Sequence, residues 1–312
     1  MLKFLKASLK DKLIVGVIVA LVVIGAQVPT DFIYHNYFLK SEPNKLRNLD
    51  LDSSAALYPK LSSQPNFDDL TSKAVLVFDP DSAVVLYQKN ADTKLLPAST
   101  QKLMTAVVAL ENCPMERVVT VGQFEKAGSQ MGLTEGESVT VRSLMYGLLI
   151  NSGNDAASVL AQNCAPSESE FVFLMNKKAV ELGMKNTHFS NPTGLDDASL
   201  YSTATDLGRL ATYAMQQRAI AQIVSVSQTS VADATLSVWH PLHNVNQLLG
   251  HIQGLLGIKT GETEGAKENL ISLTRRGNHD LIVVVLGSDD RFGETTRLIN
   301  WFFANTTWEK ID

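Results

Sequence analysis

The chain has 312 residues, 45% apolar and 19% charged, which suffices to bury a sizeable core as one large domain or two small ones. A formal net charge of −5, with no long basic run beyond the extreme N-terminus, gives no electrostatic ground for a nucleic-acid partner. The six histidines show no HExxH-type spacing and the two cysteines, Cys113 and Cys164, form no metal cluster, so no metal or other cofactor is expected. The cysteines are expected to stay as two buried free thiols, with a single bridge as the alternative if the chain is exported.

Residues 1–39 read as an export segment. Lys3, Lys6, Lys10 and Lys12 precede the uncharged run LIVGVIVALVVIGA (Leu13–Ala26), and Ile24 and Ala26 match a small-residue cleavage site poorly. The run is shorter than the roughly 20 residues of a comfortable membrane span, and Phe32, Ile33 and Tyr34 extend it at the outer interface. An uncleaved anchor is expected, lysines inside and all later residues outside, with a cleaved signal peptide as the alternative. The polar, irregular stretch 40–66 reads as a linker, and the globular domain is expected over 67–312.

That domain opens with AVLVFDPDSAVVLYQKN (Ala74–Asn90), two apolar runs about a D-P-D-S turn, which predicts a hairpin. Helical patterns follow over 100–111, 141–150, 155–162, 168–182 and 203–216. NLISLT, a turn at RRGNHD and LIVVVL predict a second hairpin, and an amphipathic helix follows around 295–304. Strands at both ends with helices between them predict an α+β domain whose terminal strands share one antiparallel sheet.

Inside LLPASTQKLMTA (Leu95–Ala106), Ser99 and Lys102 stand three residues apart and so share a helix face, a nucleophile beside a candidate base. Taken alone, the pair reads equally as a solvated helix start with Ser99 as cap. Downstream, Ser152-Gly153-Asn154 lies between two helical segments and Lys259-Thr260-Gly261 follows later. Each short motif is weak; S-x-x-K, S-x-N and K-T-G in that order form a strong signal.

The triple and its flanks, among them LYQKNADTKLLPASTQKLMTA, LTEGESVTVRSLMYGLLINSGNDAA, ELGMKNTHFSNPTGL and LLGIKTGET, resemble the D-alanyl-D-alanine carboxypeptidases, the low-molecular-mass penicillin-binding proteins of serine peptidase family S11. The resemblance runs from about Ala74 to Phe303. It implies a serine β-lactamase/DD-peptidase-like α+β fold, an antiparallel sheet flanked by helices plus a helical subdomain, with the site at their junction. It also implies removal of the terminal D-alanine from peptidoglycan stem peptides through an acyl-enzyme on Ser99, β-lactam antibiotics as covalent inhibitors, and a place on the outer face of the cytoplasmic membrane.

The residue types suit that chemistry. A serine hydroxyl is a poor nucleophile near neutral pH, and a lysine serves as its base only when burial and a neighbouring cation depress its pKa. Lys102 in an apolar helix, faced by Lys259, meets both conditions. Ser152 is expected to relay a proton between Lys102 and the leaving amine, and Asn154 to hold the Lys102 side chain and the substrate backbone. Lys259 and Thr260 suit a C-terminal carboxylate, and Gly261 lets a substrate backbone lie close to its strand. The resemblance puts the oxyanion hole at the backbone N–H groups of Ser99 and Glu262.

Two positions depart from the family pattern. Glu262 stands where an aromatic residue or histidine is usual, and its carboxylate would weaken an anionic substrate; Thr205 stands where many members carry arginine. Arg291 matches a later family arginine and is expected to be a second carboxylate-binding cation. No E-x-x-L-N string is present, which disfavours a class A β-lactamase, and the presence of Ser99, Lys102 and Lys259 disfavours a non-catalytic wall-binding or penicillin-sensing domain. His188, His240 and His243 read as structural or surface residues, and Asn191-Pro192-Thr193-Gly194 as a structural loop bordering the cleft.

Overall fold

The computed structural model describes residues 57–310. The expected anchor at 1–39 and most of the expected linker lie outside the described residues, among which no helix is long and apolar enough to cross a membrane. In chain order the elements are β1 (Leu57–Leu61), β2 (Ala74–Asp79), β3 (Val84–Lys89), a 3₁₀ turn (Ala98–Gln101), α1 (Lys102–Asn112), β4 (Val118–Thr120), β5 (Ser138–Thr140), α2 (Val141–Leu149), α3 (Asn154–Asn163) and α4 (Glu168–Glu181). They continue as α5 (Ala204–Gln216), α6 (Arg218–Val224), β6 (Gln228–Ala232), β7 (Trp239–His243), β8 (Leu255–Thr263), β9 (Lys267–Arg276), β10 (His279–Ser288), α7 (Arg291–Asn305) and β11 (Thr306–Lys310).

Both predicted hairpins form and join one antiparallel sheet of order β3-β2-β10-β9-β8. Its inner strands are apolar almost throughout because both faces are covered. Side chains alternate across a strand, so Val75, Val77, Leu281, Val283 and Val285 meet Leu298, Ile299 and Phe302 of α7 on one face. Leu76, Ile271, Ile282, Val284 and Leu286 point the other way, into the core shared with the remaining helices. Fully burying each such side chain contributes about 1.5–3 kcal/mol, which is why the pattern specifies the register.

The other helices form the helical subdomain. α1 packs against α2, α3, α4 and α5, and every residue from Lys102 to Ala109 is buried. A helix buried on all sides has no polar face to spare, so the single lysine at its start is an anomaly in need of a role. The architecture is the α+β arrangement that the resemblance implies, with β8 running beside the start of α1.

Two expectations change. Residues 57–61, inside the stretch read as linker, pair antiparallel with 306–310. LYPKL is mostly exposed, so it carries almost no hydrophobic signal; its pairing with the chain's last strand is a long-range event. Cys113 and Cys164 form a disulfide instead of two free thiols. They are the C-caps of α1 and α3, and the side-by-side packing of those helices brings their Cα atoms to 5.4 Å across a sequence separation of 51.

Candidate active site

Ser99 sits on the 3₁₀ turn that leads into α1, and its surroundings clamp that turn. Gln101 Nε2 donates to Asn191 O at 2.6 Å, Thr105 Oγ1 to Pro192 O at 2.7 Å, and Asn269 Nδ2 to Leu96 O at 3.0 Å. Two glycines permit the close approach. A Cβ on Gly194, whose φ is +88°, would stand 2.2 Å from Ala98 O, and one on Gly261 would stand 2.9 Å from the backbone nitrogens of both Ser99 and Thr100. The 191–194 loop is thus the structural loop expected, and Gly261 brings β8 against the nucleophile.

Lys102 is the first residue of α1, one turn beyond Ser99, and is 0% exposed. Its Nζ lies 2.7 Å from Ser99 Oγ and 2.5 Å from Asn154 Oδ1. Burial, followed by the positive charge of Lys259, holds its pKa well below the ordinary lysine value, with Asp155 opposing. A shift in that direction favours the neutral amine, and its contact with Ser99 Oγ is the geometry a proton acceptor requires.

Ser152 occupies the connection between α2 and α3 with φ +58°, a strained conformation for a residue with a Cβ. Its Oγ accepts from Lys259 Nζ at 2.9 Å, and the same ammonium donates to Thr260 O at 2.9 Å. Ser152 is expected to relay a proton from Lys102; its hydrogen bond runs to Lys259 instead, while Lys102 is bonded to Ser99 and Asn154. Lys259 is 1% exposed, and burial, then the nearby Arg291 cation, bring its pKa down to about 7.

Asn154 begins α3 and bridges two elements, its Nδ2 donating to Ala127 O at 2.7 Å while Oδ1 receives Lys102. Its neighbour Asp155, absent from the sequence reading, anchors the same loop. The buried Asp155 carboxylate accepts from the backbone N–H groups of Met131 at 2.9 Å, Gly132 at 2.9 Å and Leu133 at 3.1 Å. An acid in the first turn of a helix is common enough that sequence offered no signal for this role.

Thr260 is buried on β8, and Arg291, at the start of α7, reaches the same strand. Its Nη1 donates to Gly261 O at 3.1 Å and lies 3.0 Å from Glu262 Oε2. Ser99, Lys102, Ser152, Asn154, Lys259, Thr260 and Gly261 therefore converge, with Glu262 and Arg291 at one end. The remaining candidates stand apart: His188 bonds Ser199 O, His240 is buried against Glu137, His243 is exposed, and Thr205 Oγ1 donates to Ala91 O. Next to Asn154 a cavity of about 400 Å³, bordered by Pro192, Thr193 and Asp196, offers room for a bound chain.

The family model of the D-alanyl-D-alanine carboxypeptidases, peptidase S11, matches residues 60–290. The D-alanyl-D-alanine carboxypeptidase DacF of Bacillus subtilis is 34% identical over 244 residues, covering 75% of this chain and 62% of that protein. A D-alanyl-D-alanine endopeptidase of Pseudomonas aeruginosa is 34% identical over 254 residues, covering 78% of this chain and 81% of that protein. The crystal structure of a Streptomyces DD-transpeptidase superposes with a TM-score of 0.71 at 32% identity, covering 78% of this chain and 99% of that one. This chain thus spans under two thirds of the length of the Bacillus subtilis relative.

Proposed function

The chain belongs to the D-alanyl-D-alanine carboxypeptidase family, peptidase S11, and from that premise we propose that it removes the terminal D-alanine from peptidoglycan stem peptides through an acyl-enzyme on Ser99. The observation that carries the reading is the buried Lys102 amine held between Ser99 Oγ and Asn154 Oδ1. The substrate's terminal carboxylate binds the Lys259 and Arg291 cations and the Thr260 hydroxyl at the K-T-G strand. Ser99 Oγ attacks the penultimate carbonyl and Lys102 takes its proton. The carbonyl oxygen, now negative, is received by the backbone N–H groups of Ser99 and Glu262, the latter next to Gly261, where β8 lies against the nucleophile's turn. When the tetrahedral adduct collapses, the C–N bond breaks and the proton held by Lys102 passes to the departing D-alanine nitrogen, with Ser152 Oγ as its carrier. Water then attacks the ester, Lys102 again takes the proton, and Ser99 is restored.

A β-lactam presents the same carboxylate and a strained amide, but its opened ring keeps the leaving group tethered, so the acyl-enzyme persists. We further read the protein as working on the outer face of the cytoplasmic membrane, held there by residues 1–39; the lysine-flanked apolar run supports this. The test pairs two measurements on the full-length chain. Incubation with a stem pentapeptide should release free D-alanine, and intact mass after brief benzylpenicillin exposure should show one added drug mass, abolished by Ser99→Ala. Rapid destruction of the drug would favour a β-lactamase, and no adduct would favour an inactive scaffold.

A further inference from the structure

Arg291 is a cation built in place. Its backbone N–H donates to Glu268 Oε2 at 2.9 Å, its guanidinium lies 4.9 Å from the Phe292 ring centroid, and its Nη1 donates to Gly261 O at 3.1 Å. The side chain is only 13% exposed. Glu262, the residue after Gly261, differs: its side chain is 60% exposed and its carboxylate reaches the same Nη1, at 3.0 Å, from the solvent side. Arg291 Nε is buried and has no hydrogen-bond partner among the described residues. A purely structural arginine–carboxylate pair would be expected to engage two guanidinium nitrogens; this one engages a single nitrogen and leaves donor capacity unused.

We propose that Glu262 is an internal carboxylate that occupies Arg291 until the substrate's terminal carboxylate displaces it, so that Glu262 lowers the protein's preference for ligands with a free carboxylate. The inference rests on the reading above in which Arg291 receives that carboxylate. Two carboxylates on one Nη1 repel each other, so the ligand binds as Glu262 swings out. With Glu262 largely exposed, the pair opposes this exchange by a factor of about 1.4 to five, the range measured for surface pairs. Glu262 therefore acts on specificity through its side chain, while its backbone N–H serves the oxyanion.

The charge is removed without disturbing the backbone by Glu262→Gln. Acylation rates are measured with benzylpenicillin and with its methyl ester, in which the carboxylate is masked, and the KM and kcat for D-alanine release from a stem pentapeptide are measured alongside. In Glu262→Gln, the ratio of acylation by the free acid to acylation by the ester should rise about 1.4- to fivefold, and the peptide KM should fall by a comparable factor. Equal changes for acid and ester, no change in either, or a slower reaction with the acid would each overturn the proposal; the last would mean that Glu262 holds Arg291 in position. Arg291→Gln separates the premise from the inference. If it slows acylation by the acid about tenfold and spares the ester, the carboxylate reading stands whatever Glu262→Gln does; if it alters neither, that reading fails and the inference falls with it.

Discussion

Lys259 is a buried cation that meets a hydroxyl and a carbonyl but forms no ion pair among the described residues. Holding it in place should cost stability. A pKa lowered from 10.5 to about 7 corresponds to about 5 kcal/mol at 1.36 kcal/mol per unit, so the folded state is penalised by roughly that amount at neutral pH. Lys259→Met removes the penalty and fills similar volume, but leaves Ser152 Oγ and Thr260 O without their donor, at about 1 kcal/mol each. The variant should therefore be about 3 kcal/mol more stable near neutral pH, raising Tm by roughly 6–12 °C for a domain of this size, while D-alanine release is lost. Between about pH 7 and pH 10.5 the unfolded chain binds more protons at this residue than the folded one, so wild-type stability rises with pH and the penalty shrinks to about 1 kcal/mol near pH 9.5. Calorimetry of both proteins at the two pH values should find a wide gap in Tm at neutral pH that closes at the alkaline one. A variant less stable than wild type at neutral pH, or a gap independent of pH, would refute the reasoning.

Lys102→Arg keeps a cation beside Ser99 that cannot deprotonate, so acylation by benzylpenicillin should fall about 10²- to 10⁴-fold in a protein whose circular dichroism is unchanged; near-normal rates would remove Lys102 as the proton acceptor. Asp155→Ala strips the acceptor from four backbone N–H groups, three of them in the 131–133 loop, and should lower unfolding free energy by about 3 kcal/mol or more, read from urea midpoints, and an unchanged midpoint would contradict its anchoring role. Replacing Cys113 and Cys164 together by serine opens a bridge of sequence separation 51 and should lower stability by roughly 2–4 kcal/mol, whereas free thiols titrated in the unreduced, denatured wild type would show that no bridge forms. The full-length chain should fractionate with membranes with Met1 intact; a soluble mature protein beginning near Gln27 would defeat the anchor.

The hairpins, six of the helices and the antiparallel sheet were legible because each rests on a local signal, continuous apolar runs about a turn for β2–β3 and β9–β10 and a period of 3.6 for α2 and α5, and because burial of those residues admits few arrangements. The short ribbons β4–β5 and β6–β7 and the strand β1 were not, since three to five half-exposed residues carry no usable period. The reactive set was legible for another reason: serine, lysine and the K-T-G triplet are required by the reaction and recur in order.

By itself, then, the sequence determined the family and which residues could carry the proposed reaction, because side-chain type limits what can attack, accept a proton or bind a carboxylate. Only the tertiary structure decided how those residues are paired. Ser152 bonds Lys259 and not Lys102, Asp155 carries the loop beside the site, the two cysteines meet, and Glu262 lies across Arg291. These pairings join residues distant in the chain, and a contact made across tens to hundreds of residues leaves no periodic trace in either partner. Their energies also depend on burial: the same lysine is an ordinary cation in water and a base at the foot of α1, where the packed helices exclude solvent.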